Sequence, residues 1–296
     1  MSTARMAVQT TGSGTRVSRR RRFHRRVAEL FASRELLVNL TLRELRSRYK
    51  RSVLGWSWSL INPLSNVIIY SIVFSVVLKV QPPTSPTGLK SFPLFLLCGL
   101  IPWMFFANGM GNTTESLLAN GNLIKKVYFP RELLVTAAVG SLVITLLIEM
   151  GVLMAVLLIV GNMVLVWIPM VLVLVFLEAV LVLGVGLMLS VLNVFFRDFR
   201  YLITVLLNVL FYAIPIVYPV TYVPVEAHVA GVTIPMRRIY ELNPLTRLVG
   251  AYRDVLYDTR FPSVSTMLII VTAAVFCFAL GWAVFARLQR RVAEEV

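Results

Sequence analysis

From Glu132 to about Val194 the chain is apolar almost without interruption, with Glu149 and Glu178 as its only further charged side chains and Gly161–Asn162 as its one obvious turn. A helix needs about 20 apolar residues to cross the hydrocarbon layer of a bilayer. Each half of this stretch exceeds that, so it reads as two spans joined by a tight turn. No soluble domain could cover that much apolar surface. Four more runs share the character: about Ser57–Leu78, Phe92–Glu115, Tyr201–Val220 and Ser263–Ala286. Pro102 beside Trp103 interrupts the second run, and Pro215 and Pro219 break the regularity of the fifth. With 58% hydrophobic and 15% charged residues, the fold class predicted is an all-α integral membrane protein of six transmembrane helices.

Charge gives the orientation. Of 29 Lys and Arg, 14 fall within residues 1–55, against three acids there, Glu29, Glu35 and Glu44. Lys125, Lys126 and Arg131 follow run two, Arg197 and Arg200 follow run four, and Arg287, Arg290 and Arg291 follow run six. All of these fall on one side of a six-span chain, so both termini are expected in the cytoplasm. A basic terminus also suits nucleic acid, but beside apolar spans anionic lipid is the more economical partner, and no nucleic-acid partner is expected. Residues 1–33, including RRRRFHRR, read as a basic, disordered cytoplasmic N-terminus without the apolar core of a signal peptide. Residues 288–296 read as a cytoplasmic tail.

Between terminus and first span, residues 34–55 are expected to form an amphipathic helix on the membrane surface. Val38, Leu42, Leu45 and Tyr49 line up at helical spacing. Arg43, Arg46, Arg48, Lys50 and Arg51 occupy the rest of the circumference. Gly55 then allows a change of direction, and Trp56 and Trp58 mark the water-lipid boundary.

Two further segments are neither span nor plain loop. Leu117–Arg131, LLANGNLIKKVYFPR, has the content of a short amphipathic helix, and its apolar residues want a partner, preferably another protein. Residues 221–262 mix many Ile, Leu, Val and Tyr with five arginines (237, 238, 247, 253, 260) and four acids (226, 241, 254, 258). A span could not carry those charges and a solvated loop would not need the apolar residues, so short re-entrant or interface-lying helices are expected.

No enzyme constellation is present. The chain lacks a GxxxxGK[ST] phosphate loop, HExxH and GxSxG, and its two histidines, His24 and His228, stand in unrelated settings. Cys98 and Cys277 lie far apart inside apolar runs, which argues against a disulfide framework or a metal cluster. No catalytic, metal or cofactor residue is expected. Asp198 and Glu132, flanked by arginine, read as its partners. The intramembrane acids Glu149 and Glu178 either line a pathway or are satisfied by polar neighbours, with Asn193, Asn208, Ser141 and Thr145 as candidates.

The sequences RELRSRYKRSVLGWSWSLINPL, NLIKKVYFPREL, FFRDFRYL and ELNPLT together resemble the permease subunit of ABC type-2 transporters that export polysaccharides, of the O-antigen, teichoic-acid or galactan export type. The likeness runs from about Arg34 to Arg291. It implies a 56–287 transmembrane domain that forms a homodimer and works with two copies of a separate ATPase, which would bind the ATP and Mg. It also implies that Leu123, Ile124, Lys125, Lys126, Val127, Tyr128, Phe129, Pro130 and Arg131 couple to that ATPase. A lipid-linked polysaccharide would enter from the inner leaflet, with its pyrophosphate drawn by Arg43, Arg46, Arg48, Lys50 or Arg51 beside Tyr49. The glycan would then pass along Tyr70, Phe74, Trp103, Phe105, Phe106, Phe211 and Tyr212, whose rings could stack on sugars. The competing readings are an ABC-2 permease for drugs or lipids and a non-transporting scaffold for glycan assembly. Composition does not name the sugar.

Overall fold

A computed structural model describes residues 34–49, 55–77, 85–229 and 232–295. The first described helix is α1 (Arg34–Tyr49); a 3-10 turn at Gly55–Ser57 then leads into α2 (Trp58–Ser71), which ends in a π-helical stretch, Ile72–Val77. α3 (Phe92–Ala119) and the short α4 (Gly121–Lys126) follow, then α5 (Glu132–Ile159) and α6 (Ile168–Phe195). α7 (Phe199–Ala213) leads to a small antiparallel hairpin of β1 (Ala227–Val229) and β2 (Val232–Ile234). The chain closes with α8 (Met236–Leu242), α9 (Pro244–Leu256) and α10 (Val264–Glu295). The regular structure among the described residues is thus all-helical apart from that hairpin, which the sequence pattern does not announce.

Among the described residues, four helices are long and apolar enough to cross a membrane: α3, α5, α6 with its leading 3-10 turn, and α10. Of the other two expected runs, Ser57–Leu78 is helical from Trp58 through Val77, with Leu78 outside the described residues, whereas α7 spans 15 residues because Ile214 leaves helical geometry just before Pro215. At 1.5 Å per residue α7 reaches about 22 Å, less than the expected Tyr201–Val220 run. α10, in contrast, continues some nine residues past the expected Ala286.

α3 is the centre of the bundle, packing against α2, α5, α6, α7 and α9. Its most apolar window is 72% buried against 22% for that of α10, so α3 is an internal post and α10 presents most of its surface outward. α10 nevertheless holds α6 tightly. A Cβ on Gly281 would lie 1.8 Å from the carbonyl oxygen of Gly184, and one on Gly184 would lie 2.4 Å from the backbone N of Phe278, so the two backbones meet with no room for a side chain. Small residues at a crossing let dispersion contacts accumulate where lipid offers no hydrophobic drive for association.

The core has two parts. The larger runs through α3, α5, α6 and α9. The smaller gathers Leu40 of α1, Ile124 of α4, Leu133 and Leu134 of α5, Val191 of α6 and Phe285 and Val292 of α10 at one end of the bundle. That basic end of the bundle carries α1, α4 and the last turns of α10.

Candidate functional site

At the basic end, α1 lies along α5 through a stripe displaced from the expected one. Leu40 is buried, Leu37 packs beside it, and Thr41 fills the space left by Gly140 of α5. Val38 and Leu42 stay exposed, as do Arg43 and Arg46 around a shallow groove with Asn39 and Ser47. The helix therefore has two apolar faces, one against protein and one open. Arg48 is half-buried; Lys50 and Arg51 fall outside the described residues, and of Tyr49 only the backbone is described.

The expected coupling segment is strapped at both ends. Arg43 donates to the side-chain oxygen of Asn120, where α3 gives way to α4, and Asn120 in turn donates to the Ser116 carbonyl at 2.9 Å. Arg131 donates to the Gln289 carbonyl of α10. Between the straps, Ile124 is buried and Leu123 and Phe129 pack beside it. Of the apolar residues expected to want a partner, Ile124 has one within the chain, buried in the smaller core with Leu123 packed against it, which leaves Val127 and Tyr128 for a partner. Lys125, Lys126, Val127 and Tyr128 are exposed, Tyr128 completely, and Pro130 and Arg131 are half-buried. The segment from Ile124 to Glu132, with Gln289, rims a groove of about 750 Å³.

Four of the seven expected channel aromatics converge. Tyr70, Trp103, Phe211 and Tyr212 line an open groove of about 260 Å³ between α2, α3 and α7, with Asn66 and Asn208 among them. Ring centroids lie 5.9 Å apart for Tyr70 and Phe211, 6.0 Å for Trp103 and Phe211, and 5.1 Å for Phe211 and Tyr212. Phe74 stacks on Phe92 instead, at 5.8 Å. Phe105 and Phe106 are buried in the core and do not line the groove. Along the same α3–α7 seam toward the basic end, Arg200 lies 3.9 Å from Glu115 and 4.5 Å over the Tyr201 ring.

The intramembrane acids separate. Glu149 is half-buried on α5. Glu178 is buried on α6 and accepts a 2.8 Å hydrogen bond from the Tyr252 hydroxyl of α9, also buried. The expected partners are engaged elsewhere: Asn193 donates to the Thr114 carbonyl, Ser141 to Ala138 and Thr145 to Ser141, while Asn208 faces the aromatic groove.

α9 explains the mixed composition of residues 221–262. Leu248, Val249, Tyr252, Val255 and Leu256 form a helical stripe that inserts against α3, α6 and α10. Arg253 on this inserted face is buried, and each of its three guanidinium nitrogens finds a backbone acceptor. It donates to the Pro215 carbonyl at 2.7 Å, to the Ile216 carbonyl and to the Phe95 carbonyl at 3.4 Å, and lies 3.9 Å over the Phe95 ring. Those first two carbonyls follow the break of α7, where helical partners are missing. Gly99 makes room: a Cβ there would lie 2.8 Å from Arg253 Nη2.

The end opposite the basic one is tied together at Tyr257. Its carbonyl accepts from Ser85 at 2.9 Å and from Asn162 at 3.2 Å, and its hydroxyl donates to Leu89 at 3.1 Å. Gly161, with φ of +91°, makes the turn that delivers Asn162. Nearby Asp258 has its carboxyl pKa raised by burial, with Arg260 pulling against that rise.

Sequence reasoning missed Tyr252, Arg253, Tyr257 and Asn162. The signal for the first two was present in the stripe Leu248, Val249, Tyr252, Val255, Leu256, an apolar helical face in a segment too charged to span. Nothing in the sequence signals the pairing of Asn162 with a segment 95 residues away.

Comparison with known proteins places this architecture. Residues 35–257 match the family model described as ABC-2 type transporter. The O-antigen export system permease protein RfbA of Myxococcus xanthus is 28% identical over 92% of this chain and 99% of its own length. The RfbA protein of Klebsiella pneumoniae is 30% identical over 88% and 94%. The polysialic acid transport protein KpsM of Escherichia coli is 26% identical over 69% and 78%. With four apolar helices long enough to span a membrane and a family match over three quarters of its length, the chain is a multi-pass membrane protein and belongs to the ABC-2 type transporter family.

Proposed function

We propose that this chain is the permease subunit of an ATP-driven exporter that moves a lipid-linked polysaccharide across the bacterial inner membrane. The observation that carries the reading is the end-to-end likeness to permeases named for O-antigen export, covering 99% of the length of one. In this reading α2 with its π-helical extension, α3, α5, α6, α7 and α10 are six spans within a 56–287 transmembrane domain. Both termini lie in the cytoplasm, α8 and α9 are re-entrant elements of the outer side, and two copies of the chain work with two copies of an ATPase that holds ATP and Mg. The chain itself performs no hydrolysis.

The strapped segment from Asn120 to Arg131 supports a coupling role. Its core residues make it move with the bundle, and exposed Val127 and Tyr128 give a partner something to grip. Because Arg43 holds Asn120, a push on α4 also moves α1, whose open basic face is placed to meet a pyrophosphate from the inner leaflet. The groove of Tyr70, Trp103, Phe211 and Tyr212 suits a ring-stacking path for sugars.

Depleting the protein in its host and weighing lipid-linked glycans by mass spectrometry tests the reading. Accumulation of a lipid-linked glycan inside the cell is expected. Unchanged levels with an ATPase still bound would leave the drug- or lipid-permease reading in its place, and failure of the purified chain to bring down an ATPase would leave the scaffold.

A further inference from the structure

Beyond the aromatic groove, at the end of the bundle opposite the basic one, lies a second cavity of about 550 Å³ between α9, the start of α10 and the chain that follows α7. It falls within the range of about 300–1,000 Å³ usual for small-molecule sites. Its lining holds three cations, Arg247, Arg253 and Arg260, and three anions, Glu241, Asp254 and Asp258. These already answer one another. Arg260 pairs with Asp254 and lies 3.3 Å from Asp258, Arg247 lies 3.5 Å from Glu241, and Arg253 is occupied by backbone carbonyls.

A ligand with net charge would have to break one of these pairs. A fatty chain would strand them without water. A neutral molecule rich in hydroxyls fits both signs at once, since each hydroxyl donates to a carboxylate and accepts from a guanidinium without a change in total charge. Thr221 and Ser263 add hydroxyls to the lining, and Phe261, 76% exposed and held edge-on by Trp167 at 4.6 Å, presents a ring at the rim. Paired charges with an exposed ring match the alternating polar edge and apolar face of a sugar.

The geometry points to this cavity as a binding site for a short stretch of neutral saccharide on the outer side of the membrane, separate from the aromatic groove between α2, α3 and α7. The inference rests on the proposed export function and deepens it: the outer cavity holds the glycan as it emerges.

Gly250 supplies the test, because it lines the cavity and a Cβ there meets nothing within 4 Å. In the host, with the full chain and its ATPase, Gly250→Ala should export normally. Gly250→Phe, whose ring would occupy the cavity, should lose export while remaining in the membrane and co-purifying with the ATPase. Direct binding is read with Gly250→Cys in the purified complex, using oligosaccharides of a few residues cut from the strain's own exported polymer. Their presence should slow alkylation of that cysteine, and Phe261→Ala should remove the protection. Unchanged alkylation at saturating oligosaccharide overturns the site whatever the export phenotype, as does normal export by Gly250→Phe. Failure of the export reading shows separately, as unchanged lipid-linked glycan when the whole protein is depleted.

Discussion

Arg43 of α1 donates a hydrogen bond to Asn120, the residue on which α3 ends and α4 begins. The helix that lies along α5 is thereby tied to the segment proposed to meet the ATPase. An exposed bond to a charged group contributes about 1 kcal/mol or less to stability, so its removal should leave folding intact. Arg43→Ala and Asn120→Ala are each expected to lower transport per ATP hydrolysed in proteoliposomes, and the double variant should be no worse than the more affected single. Additive losses would mean that the two residues act separately.

Ile124 and Tyr128 sit four residues apart and do different things. Ile124 is 8% exposed within the smaller core and Tyr128 is fully exposed. Ile124→Ala should cost roughly 2–5 kcal/mol through the cavity it leaves, visible as a lower melting temperature in detergent. Tyr128→Ala should melt like the wild type yet bind the ATPase more weakly in pull-down. If the two variants were equally stable, Ile124 would not be part of the core.

The long apolar helices were legible in the sequence because apolar length is a local property: the starts of α3, α5 and α10 fall within a residue of those read from hydropathy. The aromatic groove was half legible. Tyr70, Trp103, Phe211 and Tyr212 converge, but Phe105 and Phe106 differ from Trp103 only in which side of α3 they occupy, and with α3 surrounded by neighbours that side depends on tertiary packing. Least legible were the partners of buried polar groups. Glu178 and Tyr252 are 74 residues apart and Arg253 and Phe95 158 apart, and no periodicity connects them. The short Leu123–Tyr128 stretch misled because four apolar residues in six can serve a core or a partner equally well.

Glu178 receives its hydrogen bond from Tyr252, and its other carboxyl oxygen is buried with no hydrogen-bond partner among the described residues. Tyr252→Phe therefore removes the one bond the carboxyl has here and should destabilise by about 1–3 kcal/mol. Replacing both polar partners with apolar groups of similar volume can be nearly neutral, so Tyr252→Phe with Glu178→Met should regain most of that loss. The outcome also decides between the two readings of this acid. A structural Glu178 gives a double variant that is stable and exports, whereas a pathway carboxylate gives one that is stable and does not. Thermal melting and export measured on the same preparations separate them.

The crossing of α6 and α10 gives the sharpest stability prediction. Gly281→Ala would set a methyl 1.8 Å from the Gly184 carbonyl oxygen, and Gly184→Ala would set one 2.4 Å from the Phe278 backbone. Neither obstacle is a side chain that can turn away, so the helices must separate along their whole contact. Overpacking of a core commonly costs about 1–3 kcal/mol, occasionally more, and backbone obstruction puts both variants at or above the upper end. Gly151, exposed on α5 with nothing within 4 Å of a built Cβ, is the counter-case. Alanine is favoured over glycine inside a helix by about 1 kcal/mol, so Gly151→Ala should be neutral or slightly stabilising. Fluorescence-detected size exclusion after graded heating is expected to rank Gly151→Ala with the wild type and both crossing variants well below it. Equal melting of Gly281→Ala and Gly151→Ala would mean that α6 and α10 do not meet backbone to backbone.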